Sequence, residues 1–483
     1  MRKYVISIVI ASLGIIGAIS PSQAQMVSRD DARTLASGWI DVIIQSKGNW
    51  GGAEVAEVAD VQEFRRGNRV LGYFCRVRPQ GYVVISLRKE LVPVKAYSAT
   101  GDLEPWLDEG MADLIKGGME QVLDHIERRL GPVGDVRTAE LVTVIDVDYW
   151  PTWEELERGG LKINYQEGDI LLTSSWSQGF PYNVDCPGPP DGDDCTASFC
   201  FVGCVATAGA QIMRYWNWPP YGVGSPYDDA IAWRNMPDTL DTNSPQALVD
   251  AVAELCHEVG MAVGMDYCEG VSHPCASRSQ TEDMIGVYED HYHYHDDCSK
   301  RNRNDYSAVD WFELMKIDLN INRPVQYRVE NHSIVADGWQ EIGGVPLRQY
   351  HMNYGWDNNS TTWYSLDSLY LGGVDEEFML IGIYPAQSMH NYIEDGTYPR
   401  ESFPYRYFDR DISGNNATFE SGQHLQFMPN IRLECTSTTG GSIRFYGSSS
   451  YHTHLFTRGD ASEGVLIYDG AVKLNRYGGI KFY

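Results

Sequence analysis

Gly203-Cys204-Val205-Ala206-Thr207-Ala208-Gly209-Ala210-Gln211-Ile212-Met213-Arg214-Tyr215-Trp216 is the stretch on which the reading of this 483-residue chain turns. Val205, Ala208, Ile212 and Tyr215 recur at helical spacing. The pattern predicts a helix packed into a core, with Cys204 in its first turn. Unpaired N–H groups and the positive end of the helix dipole gather there and favour thiolate over thiol. A thiolate is a nucleophile, so the position suits covalent catalysis. The helix alone is equally compatible with a buried structural cysteine or half of a disulfide.

A nucleophile of this kind needs a base, and the base needs an orienting partner. The run from Arg323 to Trp339 reads as strand, polar turn, strand, and His332 opens the second strand. Some twenty residues on, Asn353-Tyr354-Gly355-Trp356 follows another short strand. An amide and an indole placed there can fix an imidazole tautomer and shield it from water. Upstream, Gln178 in Trp176-Ser177-Gln178-Gly179 offers an amide suited to an oxyanion hole.

Taken together, these segments resemble the streptopain-like cysteine peptidases, the group that includes streptopain and interpain. The resemblance rests on Trp176-Ser177-Gln178, Pro181-Tyr182-Asn183, Cys186-Pro187, Gly203 to Ala208, His332 to Gly338, and Asn353-Tyr354-Gly355-Trp356, all in the family's order. It covers roughly residues 145–385, with a second stretch nearer the N-terminus. It implies a papain-like α+β peptidase fold. By the same resemblance Cys204 is the nucleophile and His332 the general base and acid. Gln178 and the Cys204 N–H form the oxyanion hole, and Asn353 and Trp356 support the histidine. It implies no cofactor and no metal. Three positions depart from the pattern: Tyr354 stands where the family has Trp, Asn331 where streptopain has Gly, and Cys268 to Ala276 replaces a Gly- and Ser-rich loop that borders substrate. These changes bear on specificity rather than on reaction type.

Rival residues are weaker. Cys200 lies four residues before Cys204 without a comparable helix signal, and His351 lacks the strand-opening position of His332. His351 reads as a satisfied core or surface histidine. His291, His293 and His295 alternate with tyrosines. Period-two histidines on a strand share a face that a metal can use, but no further ligand motif joins them, and a solvated loop is the preferred reading.

The basic start Arg2-Lys3, the uncharged apolar run Tyr4 to Ser20 and the small residues Ser22-Gln23-Ala24 predict a Sec signal peptide over residues 1–24. No later stretch is long and apolar enough to span a bilayer. Loss of Arg2 and Lys3 with that segment takes the net charge from −28 to about −30, which opposes nucleic-acid and anionic-membrane binding. Ten cysteines suit an oxidising compartment. With Cys204 and Cys75 set aside, Cys268 and Cys275 are the first expected pair, and the connectivity of Cys186, Cys195 and Cys200 stays open.

Residues 25–135 read as a separate α+β domain. Gly81 to Ser86 and Leu91 to Ser98 form paired strands, and Met111 to Leu130 a helix stopped at Gly131-Pro132. The hairpin resembles the inhibitory propeptide of the same peptidase family, which implies a zymogen inhibited by its own propeptide; the segment 131–170, with Gly159-Gly160 and several charged residues, is where the cut is expected. The catalytic domain is expected over 136–385 and a linker over 386–415. A small all-β module is expected over 416–483, and the return of Gly441 to Tyr446 at Gly478 to Tyr483 suits stacked β units of a solenoid kind. The expected function is a secreted or cell-surface cysteine endopeptidase acting on proteins or peptides through a thiolate–imidazolium pair and an acyl-enzyme. The alternative is a non-catalytic surface or adhesion protein on the same scaffold. A degenerate scaffold would be expected to lose Cys204, His332 or Gln178, and all three are present.

Overall fold

The computed structural model describes residues 25–483 except 109, 146, 159–163, 271–272, 330, 344–346, 357–360, 366–376, 387, 390–391, 429–431, 436–442, 447–452, 458–464, 468–470, 474–478 and 482–483. The expected signal peptide lies outside the described residues. The architecture is α+β, built around one long antiparallel sheet and a separate β-module.

The N-terminal part is a meander of β1 (Glu57–Arg66), β2 (Arg69–Arg78), β3 (Tyr82–Ser86) and β4 (Val94–Ser98). Alternation along β3 sends Val83 and Ile85 to one face and Tyr82 and Val84 to the other. On the first face they join Leu35, Trp39 and Ile43 of the helix Arg29–Lys47. On the second they join Ile115, Met119, Val122 and Ile126 of the helix Gly110–Leu130. This part runs further than residue 135. The helix Trp150–Glu157 buries Trp153 and Leu156 in the first of these cores, and a Cβ on Gly38 would meet the Leu156 carbonyl at 2.4 Å. Arg88, paired with Glu90 and fully buried, donates to the Val133 and Val136 carbonyls at 2.7 Å each. Residues 131–157 are therefore pinned to the N-terminal layer, which corrects the expected boundary at 135.

The sheet continues into the second half without a break. β5 (Tyr165–Glu167), β6 (Ser299–Asn302), β7 (Val325–Val329), β8 (His332–Ile342), β9 (Leu347–Asn353), β10 (Thr361–Ser365) and β11 (Phe378–Ile381) complete it in the order β1-β2-β3-β4-β10-β9-β8-β7-β11-β6, with β5 on the far end of β8. At the join, Trp363 faces Tyr97 and Tyr364 faces Ala96. The join is polar as well as aromatic. Ser365 Oγ donates to the Val94 carbonyl at 2.6 Å, Thr362 Oγ1 to the Tyr97 carbonyl at 2.7 Å, and Lys95 Nζ to the Ser365 carbonyl at 3.2 Å. Gln340 Nε2 donates to the Tyr97 hydroxyl at 3.0 Å and to Gln349 Oε1 at 2.6 Å.

The C-terminal module is a three-faced stack of short parallel strands. Its first turn is β12 (Ser388–Met389), β13 (Tyr392–Ile393) and β14 (Gly396–Tyr398). The second is β15 (Tyr405–Phe408), β16 (Ile412–Gly414) and β17 (Ala417–Phe419). The third is β18 (His424–Phe427), β19 (Arg432–Cys435) and β20 (Ile443–Tyr446). Each strand pairs in parallel with its counterpart one turn away, for example Phe408 with Phe427 and Phe419 with Phe445. Two features differ from the expectation for this region. Residues 388–414 build its first turns instead of a linker. The second copy of the apparent repeat lies in β24, after β21 (Thr453–Thr457), β22 (Val465–Ile467) and β23 (Ala471–Lys473); β24 (Gly479–Lys481) runs antiparallel to β19 and is not a further parallel rung. The module packs on the catalytic half. Tyr407 donates its hydroxyl to the Trp216 carbonyl at 3.0 Å, and Trp218 packs edge-on against Phe403, Tyr405 and Tyr407.

Candidate active site

Cys204 is the first residue of the helix Cys204–Trp216, as its spacing predicts. Gly203 caps it at φ 88°, a left-handed backbone that favours glycine, and a Cβ there would meet the Met265 side chain at 2.7 Å. The helix's other faces are buried through Val205, Ala206, Ala208 and Ile212, so the half-buried Cys204 has a rigid support. Burial pushes the thiol above its ordinary pKa. Main-chain N–H groups of Ser333, Val205 and Cys204 itself, with the Arg328 guanidinium, pull it back only in part. The dipole argument from sequence thus meets a larger opposing desolvation.

His332 opens β8 after a tight turn in which Asn331 takes φ 57°. Its Nε2 lies 2.8 Å from the Tyr354 main-chain carbonyl. A carbonyl can only accept, so Nε2 carries the proton and, in the neutral ring, Nδ1 does not. Trp356 stacks on the imidazole at 4.2 Å between centroids and 22° between planes. The ring is almost fully buried, and burial lowers its pKa to about 4, aided by Arg328 and opposed by the bond to Tyr354. The contact between the Ser333 N–H and the Cys204 sulfur brings the start of β8 to the head of the helix.

The Gln178 segment is held beside the same helix. Val202 donates to the Gln178 carbonyl at 2.9 Å, and Trp176 N–H donates to Gln211 Oε1 at 2.9 Å. Asn353 is placed differently from the expectation. Its amide donates to the Ser174 carbonyl at 2.7 Å and to Gln211 at 3.0 Å, and its Oδ1 accepts from Gly355 N–H at 3.1 Å. The imidazole's partner is the next residue's backbone carbonyl. Asn353 ends β9 with its side chain turned into the core, where it fastens the loop that presents that carbonyl.

Residues 176–364 match the Peptidase C10 family. Streptopain of Streptococcus pyogenes is 26% identical over 353 residues, covering 66% of this chain and 80% of that protein. Over these residues the chain is similar to the streptopain-like cysteine peptidases. A thiol protease/hemagglutinin of Porphyromonas gingivalis is 24% identical over 350 residues, covering 65% of this chain but only 37% of its own length. In fold, the prointerpain A fragment of Prevotella intermedia superposes with a TM-score of 0.51 at 21% identity, covering 67% of this chain and 98% of that one. The papain-like α+β class expected from the sequence is therefore the observed one.

Other residues of this streptopain-like chain fall into place around the helix. His351 Nδ1 lies 2.6 Å from Asp337 Oδ1 inside the sheet, a satisfied core histidine. Cys200 bonds to Cys268 and Cys195 to Cys275, which replaces the expected Cys268–Cys275 pair. Both bridges fasten the loop after Gly264 to the irregular segment leading into Cys204, where Ser277 Oγ also donates to the Phe201 carbonyl at 2.6 Å. Among the described residues, Cys75, Cys186, Cys256 and Cys298 are free and buried. The three alternating histidines do not share a strand face. His291 ends a short π-helix, His293 stacks on Phe403 at 3.9 Å, and His295 lies beside Asp296 and Asp297. Gln211 and Gln326 escaped the sequence reading. Each is a fully buried polar residue within an apolar element, and that contrast was the available signal.

Proposed function

We propose that the chain is a secreted cysteine endopeptidase made as a zymogen, with Cys204 as nucleophile and His332 as its base and acid. The observation that carries this reading is the bond from His332 Nε2–H to the Tyr354 carbonyl, which leaves Nδ1 as the ring's acceptor. Nδ1 takes the Cys204 proton and the sulfur attacks the scissile carbonyl carbon. The Cys204 N–H and the Gln178 amide are suited to receive the oxyanion. The imidazolium then returns the proton to the leaving amine, giving the acyl-enzyme. Water, deprotonated by the same ring, attacks the thioester, and the sulfur leaves with the acid product released. Burial favours the neutral pair at rest, and substrate entry supplies the charge separation its setting.

The zymogen reading is supported by the continuity of β4 with β10 and by the polar and aromatic contacts across that join. Because residues 131–157 are fastened to the N-terminal layer, the processing cut is assigned to the stretch between Arg158 and Asn164. Gly159-Gly160 lies there, outside the described residues. Among the described residues no helix is long and apolar enough to cross a membrane. The test is secretion of the precursor, N-terminal sequencing of its processed form, and peptide hydrolysis with and without the cysteine-directed inhibitor E-64. Hydrolysis that survives Cys204→Ala would sink the reading.

A further inference from the structure

Two glutamines, neither exposed to solvent, engage the nucleophile helix, Gln326 from β7 and Gln211 from within the helix. Gln326, on β7, donates Nε2 to the Val205 carbonyl at 3.1 Å and to Ser333 Oγ at 3.1 Å, while its Oε1 accepts from the Tyr288 hydroxyl at 2.9 Å. Val205 follows Cys204 in the chain and Ser333 follows His332. One amide therefore ties the immediate neighbours of both members of the pair. Gln211, two turns along the helix from Cys204, forms a reciprocal amide pair with Asn353 at 3.0 and 3.3 Å and accepts from Trp176 N–H at 2.9 Å. It thereby ties the helix to the segment bearing Gln178 and to the loop bearing the Tyr354 carbonyl. Gly355, at φ 67°, lies over this amide and Thr207, with 3.1 Å from a built Cβ to Thr207 Cγ2.

We propose that Gln326 and Gln211 are separate positioning residues for this reaction: Gln326 sets the approach of Cys204 to His332, and Gln211 sets the oxyanion segment against the helix. The inference rests on the peptidase reading above. A buried amide with every polar atom engaged has one low-energy orientation, because moving any partner leaves a polar group unpaired in a medium where that is costly. Each glutamine thus transmits the position of one segment to another. Neither touches substrate.

Two measurements on the full chain after self-processing separate these roles, each normalised to active sites titrated with E-64. The rate of Cys204 alkylation by iodoacetamide against pH reports the thiol and its base, and kcat against KM for a peptide substrate reports the oxyanion site. Gln326→Met should slow alkylation near pH 6 by roughly ten-fold or more and displace its pH profile. Gln211→Met should leave alkylation within about two-fold while kcat falls roughly ten-fold or more at nearly constant KM. If a Met variant does not fold, Ser333→Ala, which removes one of the two bonds Gln326 donates, and Gln211→Asn, which shortens the reach of that amide, should give the same split at smaller size. Equal effects of both variants on both readouts, or unchanged values per titrated site, would overturn the proposal. A wild-type enzyme that neither labels nor hydrolyses would instead refute the peptidase reading.

Discussion

His332 donates Nε2–H to the backbone carbonyl of Tyr354 at 2.8 Å, and no side-chain amide takes that place. The ring's tautomer is thus held by a group that substitution of a side chain cannot remove. The side chains that matter to it are those fixing the loop, Asn353 and Trp356. Asn353→Ala is expected to lower kcat by loosening the carbonyl, and Trp356→Ala by admitting water to the imidazole. Trp356→Ala should also raise the pKa of His332, since burial is its chief depressant. The check is the pH dependence of kcat/KM in each variant.

His332→Ala should remove hydrolysis from a protein that still folds. His351→Ala should behave in the opposite way, because the loss takes one hydrogen-bond partner from the buried Asp337 and leaves it only the Leu172 N–H among the bonds described. Removing one partner of a buried polar group typically costs about 1–3 kcal/mol. Activity per E-64-titrated site should persist while thermal stability drops. Inactivity of folded, titratable His351→Ala would show that the base had been misassigned.

Gln178→Ala should reduce kcat about 100- to 1000-fold with little change in KM, the usual result of losing one oxyanion donor. A change of only a few-fold would make Gln178 structural.

Stability should depend on acid in a defined window. The His332 pKa is lowered from 6.5 to about 4 by burial, so the unfolded chain binds this proton more readily than the folded one. The contribution is fully present above pH 6.5 and is lost as pH falls from there to about 4, amounting to about 3 kcal/mol in total. Urea unfolding of the inactive Cys204→Ala precursor at pH 7 and pH 4.5 tests it. A Cys204→Ala, His332→Asn double variant should show a flatter dependence, and an unchanged slope would contradict the assignment.

The C-terminal module bears on the catalytic half in a way that the sequence did not disclose. Absence of catalytic motifs from residues 386–483 suggests that their removal would be harmless. Yet Tyr407 caps the last carbonyl of the nucleophile helix, and Gln426 reaches the Trp216 and Asn217 carbonyls at 3.4 Å. Tyr407→Phe should cost about 1 kcal/mol. Deleting 386–483 should uncover Trp216 and Trp218 and give insoluble or unstable protein. Full activity in a soluble deletion variant would refute this.

What could be read in advance follows from the kind of signal each element leaves. The helix after Cys204 and the strand from His332 carry long apolar patterns and sit between clear turns, so both were legible. A backbone carbonyl has no letter of its own, so Asn353 attracted the role that Tyr354 fills. The strands of residues 388–414 are two to four residues long, too short to show alternation, and their tyrosines and aspartates imitate a linker. Disulfide partners such as Cys195 and Cys275 stand 80 residues apart, and only folding brings them together.

If the N-terminal layer is removed as proposed, the join between β4 and β10 decides what the remaining sheet exposes. Were the N-terminal layer to leave, β10 would become a bare sheet margin, the kind of surface that recruits stray strands. Here that margin carries Thr362, Ser365 and, behind it, Gln349 and Gln340. Water can replace each hydrogen bond that departs with Val94 and Tyr97. The liberated enzyme would therefore meet solvent with a wettable flank, and Trp363 would be its chief sticky point, so freedom from self-association in the processed form is governed by a handful of amides and hydroxyls that the precursor keeps hidden.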